Sequence, residues 1–122
     1  MSSAFFFLRI NDHLQYLKRI EKTLNGTGDF RGTAHDACKL GLWMQGEGRS
    51  EAEAVGPEAA KLFDDLFEPH KAFHEASARA IEAKEGGDET ASYNAITEMM
   101  SLSVILINKL SEIDKLSGKK PG

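Results

Sequence analysis

The sequence predicts an all-α protein, an antiparallel four-helix bundle with a short second helix and a kinked third helix. Apolar residues recur every three or four positions along most of the 122 residues, and the alternating pattern of β-strands is absent. The gaps between the periodic stretches are short, which favours neighbouring helices that run antiparallel. A chain of this length forms one domain with a single core. We therefore expect one bundle domain over residues 1–117 and a flexible tail over residues 118–122.

The first two helices are predicted from their periodicity and from the signals at their ends. The first extends from Ala4 to Leu24 and ends at the segment Asn25–Gly28, because two glycines in four residues favour a left-handed exit from a helix. The second extends from Thr33, a good N-cap residue, to Gln45.

The second half of the chain is predicted to hold two longer helices. A polar connector over residues 46–56 precedes the third helix, whose first turn accommodates Pro57. Pro69 lies within this helix and should kink it or split it into two abutting pieces, because proline removes a backbone donor. Asp88 caps the fourth helix, which runs to about Leu116.

The fourth helix is apolar on nearly every side between Met99 and Ile107. Such a helix is either central in its domain or covered by a second chain. Because three other helices cannot cover it completely in a domain of this size, a wide core-facing surface and a homodimer surface are both indicated. The Phe5-Phe6-Phe7 run near the start is assigned to the core, with a surface for a partner in trans as the alternative.

Composition excludes several classes of function. The formal net charge is −4, and the sequence lacks the basic stripe that a nucleic-acid partner would need to neutralise phosphates. No apolar run approaches the roughly 18 to 20 residues that cross a bilayer, and the start of the chain lacks the features of a signal peptide. One cysteine cannot form an internal disulfide. We expect a cytoplasmic protein with no nucleic-acid and no membrane partner.

Three histidines and the cysteine are predicted to face one bundle interior. His70 and His74 are four residues apart, so their rings lie on one helical face, although this spacing alone is a weak signal. His13 replaces an apolar residue in the stripe of the first helix, and Cys38 lies on the inward stripe of the second. Three neutral imidazoles and one thiolate suit Zn²⁺. His35 remains an alternative to His13, because H-x-x-C on one helix would also supply two ligands.

The order of these residues resembles that of the chemoreceptor zinc-binding family. A histidine with a nearby aromatic residue is followed by C-x-L-G-x-W and then by H-x-x-x-H, on His13, Tyr16, Cys38, Leu40, Gly41, Trp43, His70 and His74. The resemblance implies a zinc site of three histidines and one cysteine on His13, Cys38, His70 and His74. Leu40, Gly41 and Trp43 are expected to pack near it, with Gly41 allowing close approach of a neighbouring helix and Trp43 covering the site.

The resemblance also implies a function. Domains of this family regulate chemoreceptors and diguanylate cyclases, in response to zinc and, in some members, to oxidants such as hypochlorous acid. It implies a zinc-binding regulatory domain that signals zinc or oxidant status, with Cys38 as the redox-sensitive ligand. Because the sequence contains no recognisable output domain, the expected partner is a second copy or a bacterial signalling protein in trans. The alternative is a structural-zinc helical adaptor or dimerisation module without a sensing role.

An enzyme is not expected. Four protein ligands leave zinc no open position for a substrate or an activated water. The H-E-x-x-H motif of zinc proteases and the E-x-x-H unit of di-iron bundles are both absent from the sequence.

Overall fold

The chain folds into a bundle of α-helices, which confirms the predicted all-α class. The computed structural model describes the backbone of residues 2–119 and the side chains of residues 6–118, and no β-strand occurs in this range. The helices are α1 (Ser2–Leu24), α2 (Lys39–Gln45), α3 (Gly48–Val55), α4 (Pro57–Asp64), α5 (Phe67–Glu85) and α6 (Glu89–Lys119).

Helix α6 is the centre of the bundle. It packs most extensively on α5 and next on α1, while α3 and α4 also contact it. Its buried side chains repeat every three or four residues, as the helical period requires: Ser92, Ala95, Met99, Ser103, Leu106, Leu110, Ile113 and Ser117. The short turn from α5 to α6 contains Gly87, whose φ is +77°. As predicted, Asp88 caps α6, because its carboxylate accepts a hydrogen bond from the Ala91 N–H at 3.1 Å.

The third helix of the prediction is divided into α4 and α5, and the division follows from Pro69. The break lies at residues 65–66, and Pro69 is the third residue of α5. Proline is tolerated there because the first N–H groups of a helix have no intrahelical acceptor. The predicted split into two abutting pieces is therefore confirmed. Pro57 is the first residue of α4, as predicted.

The predicted connector over residues 46–56 is wrong, because residues 48–55 form α3. This helix has few apolar side chains, and Ala52 is the one that is completely buried. The helical periodicity of apolar residues is therefore weak in this part of the sequence. Gly48 begins this helix at a point of close packing. A Cβ atom there would lie 2.6 Å from Cε1 of Phe63 and 2.8 Å from the carbonyl oxygen of Trp43.

The predicted start of the second helix at Thr33 is also wrong. Helix α2 begins at Lys39, and Cys38 is its N-cap, with an extended backbone and a sulfur that accepts the Gly41 N–H at 3.3 Å. Thr33 does not begin a helix because its backbone N–H and C=O groups contact side chains of other helices. Its N–H donates to the Tyr16 hydroxyl at 2.8 Å, and its carbonyl oxygen lies 3.0 Å from Nδ1 of His74.

Part of the apolar surface of α1 and α6 faces outwards. Met100, Val104 and Ile105 are 38%, 54% and 42% exposed, so the core does not cover the whole apolar stretch of α6. In the Phe5-Phe6-Phe7 run, Phe6 is buried but Phe7 is 62% exposed, which corrects the assignment of that run to the core. The side chain of Phe5 lies outside the described residues.

The C-terminal end of α6 lies beyond the predicted helix boundary. The helix continues to Lys119 and so includes the first two residues of the predicted tail, while residues 120–122 lie outside the described range. Within residues 2–119, no helix combines the length and the hydropathy needed to span a membrane.

Candidate metal centre

Cys38, His70 and His74 form a compact buried cluster. One potential ligand atom from each lies within 4.8 Å of the other two, and Sγ of Cys38 is 3.4 Å from Nε2 of His70. Tetrahedral zinc, with Zn–S of about 2.3 Å and Zn–N of about 2.0 Å, places sulfur and nitrogen roughly 3.5 Å apart. The donor set and its spacing therefore fit a zinc ion.

Two different pieces of local structure bring these groups together. His70 and His74 are one turn apart on α5, and the centroids of their rings are 4.8 Å apart. Cys38 comes from the turn that precedes α2 rather than from a helical stripe. Its position depends on Gly41, since a Cβ atom at residue 41 would overlap the carbonyl oxygen of His35. Gly41 thus permits close approach of the preceding turn, not of a neighbouring helix as predicted.

The two other motif residues have different surroundings. Leu40 is buried and lines the cavity that contains the cluster. Trp43 instead packs in the core beside Phe6 and Phe63, with ring centroids 6.0 and 5.4 Å away. Its indole N–H donates to a carboxylate oxygen of Glu51 at 2.8 Å. Trp43 therefore packs in the neighbouring core and does not cover the site as expected.

His13 lines the same cavity, which has a volume of about 410 Å³, but it lies outside the compact cluster. Its Nε2 is 2.8 Å from the hydroxyl of Ser103, a buried residue of α6. The ring also packs edge-on against Phe73, with centroids 4.7 Å apart. One nitrogen of His13 is thus engaged with α6, and the same ring contributes to the cavity wall.

His35, the alternative ligand, is nearby but not in the cluster. It precedes α2, so the helical H-x-x-C geometry on which that alternative depends does not form. Its ring centroid is 6.1 Å from that of His70, and its carbonyl oxygen is 3.5 Å from Sγ of Cys38. Its side chain is half-buried and is not among those that line the cavity.

Burial lowers the pKa values of the three histidines, which keeps their rings neutral and able to bind a cation. It lowers the pKa of His70 to about 3 and those of His13 and His74 to about 4, with smaller repulsive effects from neighbouring histidines. All three imidazoles are therefore neutral at pH 7 and keep a lone pair for a metal. Burial raises the pKa of the Cys38 thiol, so a metal that binds there displaces its proton.

Two contacts of the site were not foreseen from the sequence. Ser103 and the Thr33 carbonyl group each engage one histidine nitrogen, of His13 and His74 respectively. A serine within the apolar stretch of the fourth helix was a signal for the first contact. No sequence signal marks a backbone carbonyl group, so the second was beyond sequence reasoning.

Comparison with known proteins identifies the family. Residues 13–81, more than half of the chain, match the chemoreceptor zinc-binding domain. The chain belongs to this family. The resemblance deduced from the motifs is thereby confirmed, and the matched range includes the cluster of Cys38, His70 and His74. No curated protein and no solved structure is similar enough to the chain to count as a match.

The lowered pKa values predict that this chemoreceptor zinc-binding domain loses stability in acid when a chelator keeps metal away. The unfolded chain binds protons on its histidines below pH 6.5, whereas the folded chain does not until about pH 4 or lower. The free energy of unfolding should therefore fall from pH 7 to pH 5, by up to about 1.4 kcal/mol per pH unit for each histidine.

Urea unfolding followed by circular dichroism at pH 7, 6 and 5 measures this slope. His70→Gln should reduce it by about a third, because one of three such groups is removed. An unfolding free energy that does not change over this range would contradict the assignment of buried neutral imidazoles.

Proposed function

We propose that this chain is a zinc-binding regulatory domain that holds Zn(II) through His13, Cys38, His70 and His74 and reports zinc or oxidant status to a signalling partner. The observation that carries the proposal is the cluster of one thiol and two neutral imidazoles inside the matched region. Soft sulfur together with imidazole nitrogen is the donor set that zinc prefers in closed sites. Zinc, when bound, links three separate elements of the bundle through one ion.

His13 is proposed as the fourth ligand because it is the remaining histidine of the cavity wall. Its Nε2 faces Ser103, so its other ring nitrogen is left for the metal. With four protein ligands the site has no open position, which is why the proposed function is regulatory and not catalytic.

The link between His13 and Ser103 supports a route from the site to the surface. Ser103 lies on α6, whose outer face carries exposed apolar side chains at Met100 and Val104. Zinc would bind the ring nitrogen of His13 that does not face Ser103, and His13 contacts the helix that presents this surface. We propose that a second copy, or a chemoreceptor or diguanylate cyclase in trans, binds there.

Cys38 provides the proposed sensitivity to oxidants. A thiolate oxidised to sulfenic acid is a weaker ligand, so oxidation would loosen the connection between the turn before α2 and α5. Cys38 is the single cysteine of the chain and is not in a disulfide. A single thiol that is needed as a ligand suits the reducing environment of the cytoplasm, where we propose that the domain acts.

The competing candidate is a structural-zinc adaptor or dimerisation module. A structural site of this kind contributes on the order of 10 kcal/mol of apparent binding free energy, and its removal unfolds a small domain. The completely buried core of this chain, which includes Phe63, Phe73, Leu106 and Leu110, favours a bundle that keeps its helices without metal.

Removal of zinc distinguishes the two candidates. We predict that a moderate chelator removes stoichiometric zinc while the helical circular dichroism signal is retained, and that the oligomeric state measured by light scattering then changes. The same change should follow treatment with a mild oxidant, because both treatments disconnect Cys38. Loss of helix together with zinc would favour the structural adaptor. An unchanged helical signal and an unchanged oligomeric state after both treatments would contradict sensing.

Paired alanine variants test the fourth ligand. His13→Ala should weaken zinc binding by more than about 100-fold, because removal of a direct ligand exceeds the 10–100-fold effect of changes around a metal site. His35→Ala should bind zinc as the unmodified chain does. Competition with a chromophoric chelator measures both affinities, and circular dichroism verifies that each variant is folded. The reverse result would transfer the role of fourth ligand to His35.

A further inference from the structure

The backbone of Thr33 lies between Tyr16 on α1 and His74 on α5. The Thr33 N–H donates to the Tyr16 hydroxyl at 2.8 Å, and Nδ1 of His74 lies 3.0 Å from the Thr33 carbonyl oxygen. The Tyr16 hydroxyl is also 3.4 Å from that carbonyl oxygen and 3.1 Å from Nδ1 of His74. Both backbone polar groups of Thr33 are thus held by two side chains.

The carbonyl group determines which nitrogen of His74 carries the proton. A carbonyl oxygen can only accept, so Nδ1 of His74 must be protonated to bond to Thr33. The lone pair of the neutral ring is then on Nε2, and Nδ1 is occupied by its hydrogen bond. Since protonated Nδ1 offers no lone pair, the Tyr16 hydroxyl donates to the Thr33 carbonyl oxygen. Three hydrogen bonds result: the Thr33 N–H donates to the Tyr16 hydroxyl, and both the Tyr16 hydroxyl and Nδ1 of His74 donate to the Thr33 carbonyl oxygen, so every donor has an acceptor.

The loop around this peptide is shaped to receive the Tyr16 hydroxyl. Gly32 adopts a φ of +92°, a conformation that favours glycine, and a Cβ atom at residue 32 would lie 2.9 Å from the hydroxyl oxygen. The Tyr16 ring itself is held by packing against Phe30 and Phe73, at centroid distances of 5.3 and 6.1 Å. The ring and the hydroxyl of Tyr16 therefore have separable roles, and the hydroxyl, not the ring, bonds to the Thr33 backbone.

We propose that the Tyr16 hydroxyl is a positioning group of the metal centre, which fixes the backbone of Thr33 so that the Thr33 carbonyl group orients His74 for metal binding. The inference rests on the proposed function in that His74 is taken as a ligand. Thr33 precedes Cys38 by five residues, so the hydroxyl also anchors the loop that carries the thiol. Hydrogen-bond partners of this kind change metal affinity by 10–100-fold in other sites.

The two tyrosines of the chain provide a matched pair of variants. Tyr16→Phe removes the hydroxyl but keeps the packed ring, whereas Tyr93→Phe removes a hydroxyl from a side chain that is 70% exposed on α6. We expect Tyr16→Phe to weaken zinc binding by about 10–100-fold and Tyr93→Phe to leave it unchanged. Chelator competition measures both affinities.

A second readout needs no metal. Nitrogen-15 NMR of the histidine rings at neutral pH, with a chelator present, should show the Nδ1–H tautomer of His74 in the unmodified chain and in Tyr93→Phe, and a mixture of tautomers in Tyr16→Phe. If the unmodified chain binds no zinc, the proposed function fails, and this measurement still tests whether the Tyr16 hydroxyl orients His74. An unchanged tautomer in Tyr16→Phe would overturn the inference, as would a zinc affinity equal to that of Tyr93→Phe.

Discussion

The burial of three imidazoles and one thiol around a single cavity is the constraint on which the rest of this structure depends. His13, His70 and His74 are at most 7% exposed, and a buried polar group without a partner is costly. The fold satisfies some of these atoms from within, through Ser103 and the Thr33 carbonyl group. Cys38, His70 and His74 each bring one potential ligand atom within 4.8 Å of the others at this cavity, where one cation can accept several lone pairs at once.

The site depends on elements that differ in rigidity. Two of the proposed ligands lie one turn apart on α5, and one lies on α1, so the helices fix their spacing. Cys38 is held in place as the N-cap of α2 and by the close packing at Gly41. The loop before it is held by the hydrogen bond from the Thr33 N–H to the Tyr16 hydroxyl. With the proposed ligands, zinc would join two helices to this loop, and a change in the loop would alter the site. This arrangement supports a regulatory function more than a purely structural one.

The features that the sequence predicted are those with local causes. Helical periodicity, the Asp88 cap and the effect of Pro69 each depend on a few neighbouring residues, and all were found. The pair His70 and His74 follows from spacing on one helix. The conformation of residues 33–38 was missed because the Thr33 backbone bonds to Tyr16 and His74, which are far away in the chain, and α3 was missed because it buries few apolar side chains. Cys38 reaches the cavity as predicted, but from a turn. The assignment of four ligands stays a prediction.

X-ray absorption at the zinc edge tests the central claim most directly, when it is measured on untagged protein purified without added metal. The account predicts stoichiometric zinc with one sulfur neighbour at about 2.3 Å, three nitrogen neighbours at about 2.0 Å and the outer scattering of three imidazole rings. Protein without zinc, or zinc without a sulfur neighbour, would contradict it and return Cys38 to the role of a small buried side chain.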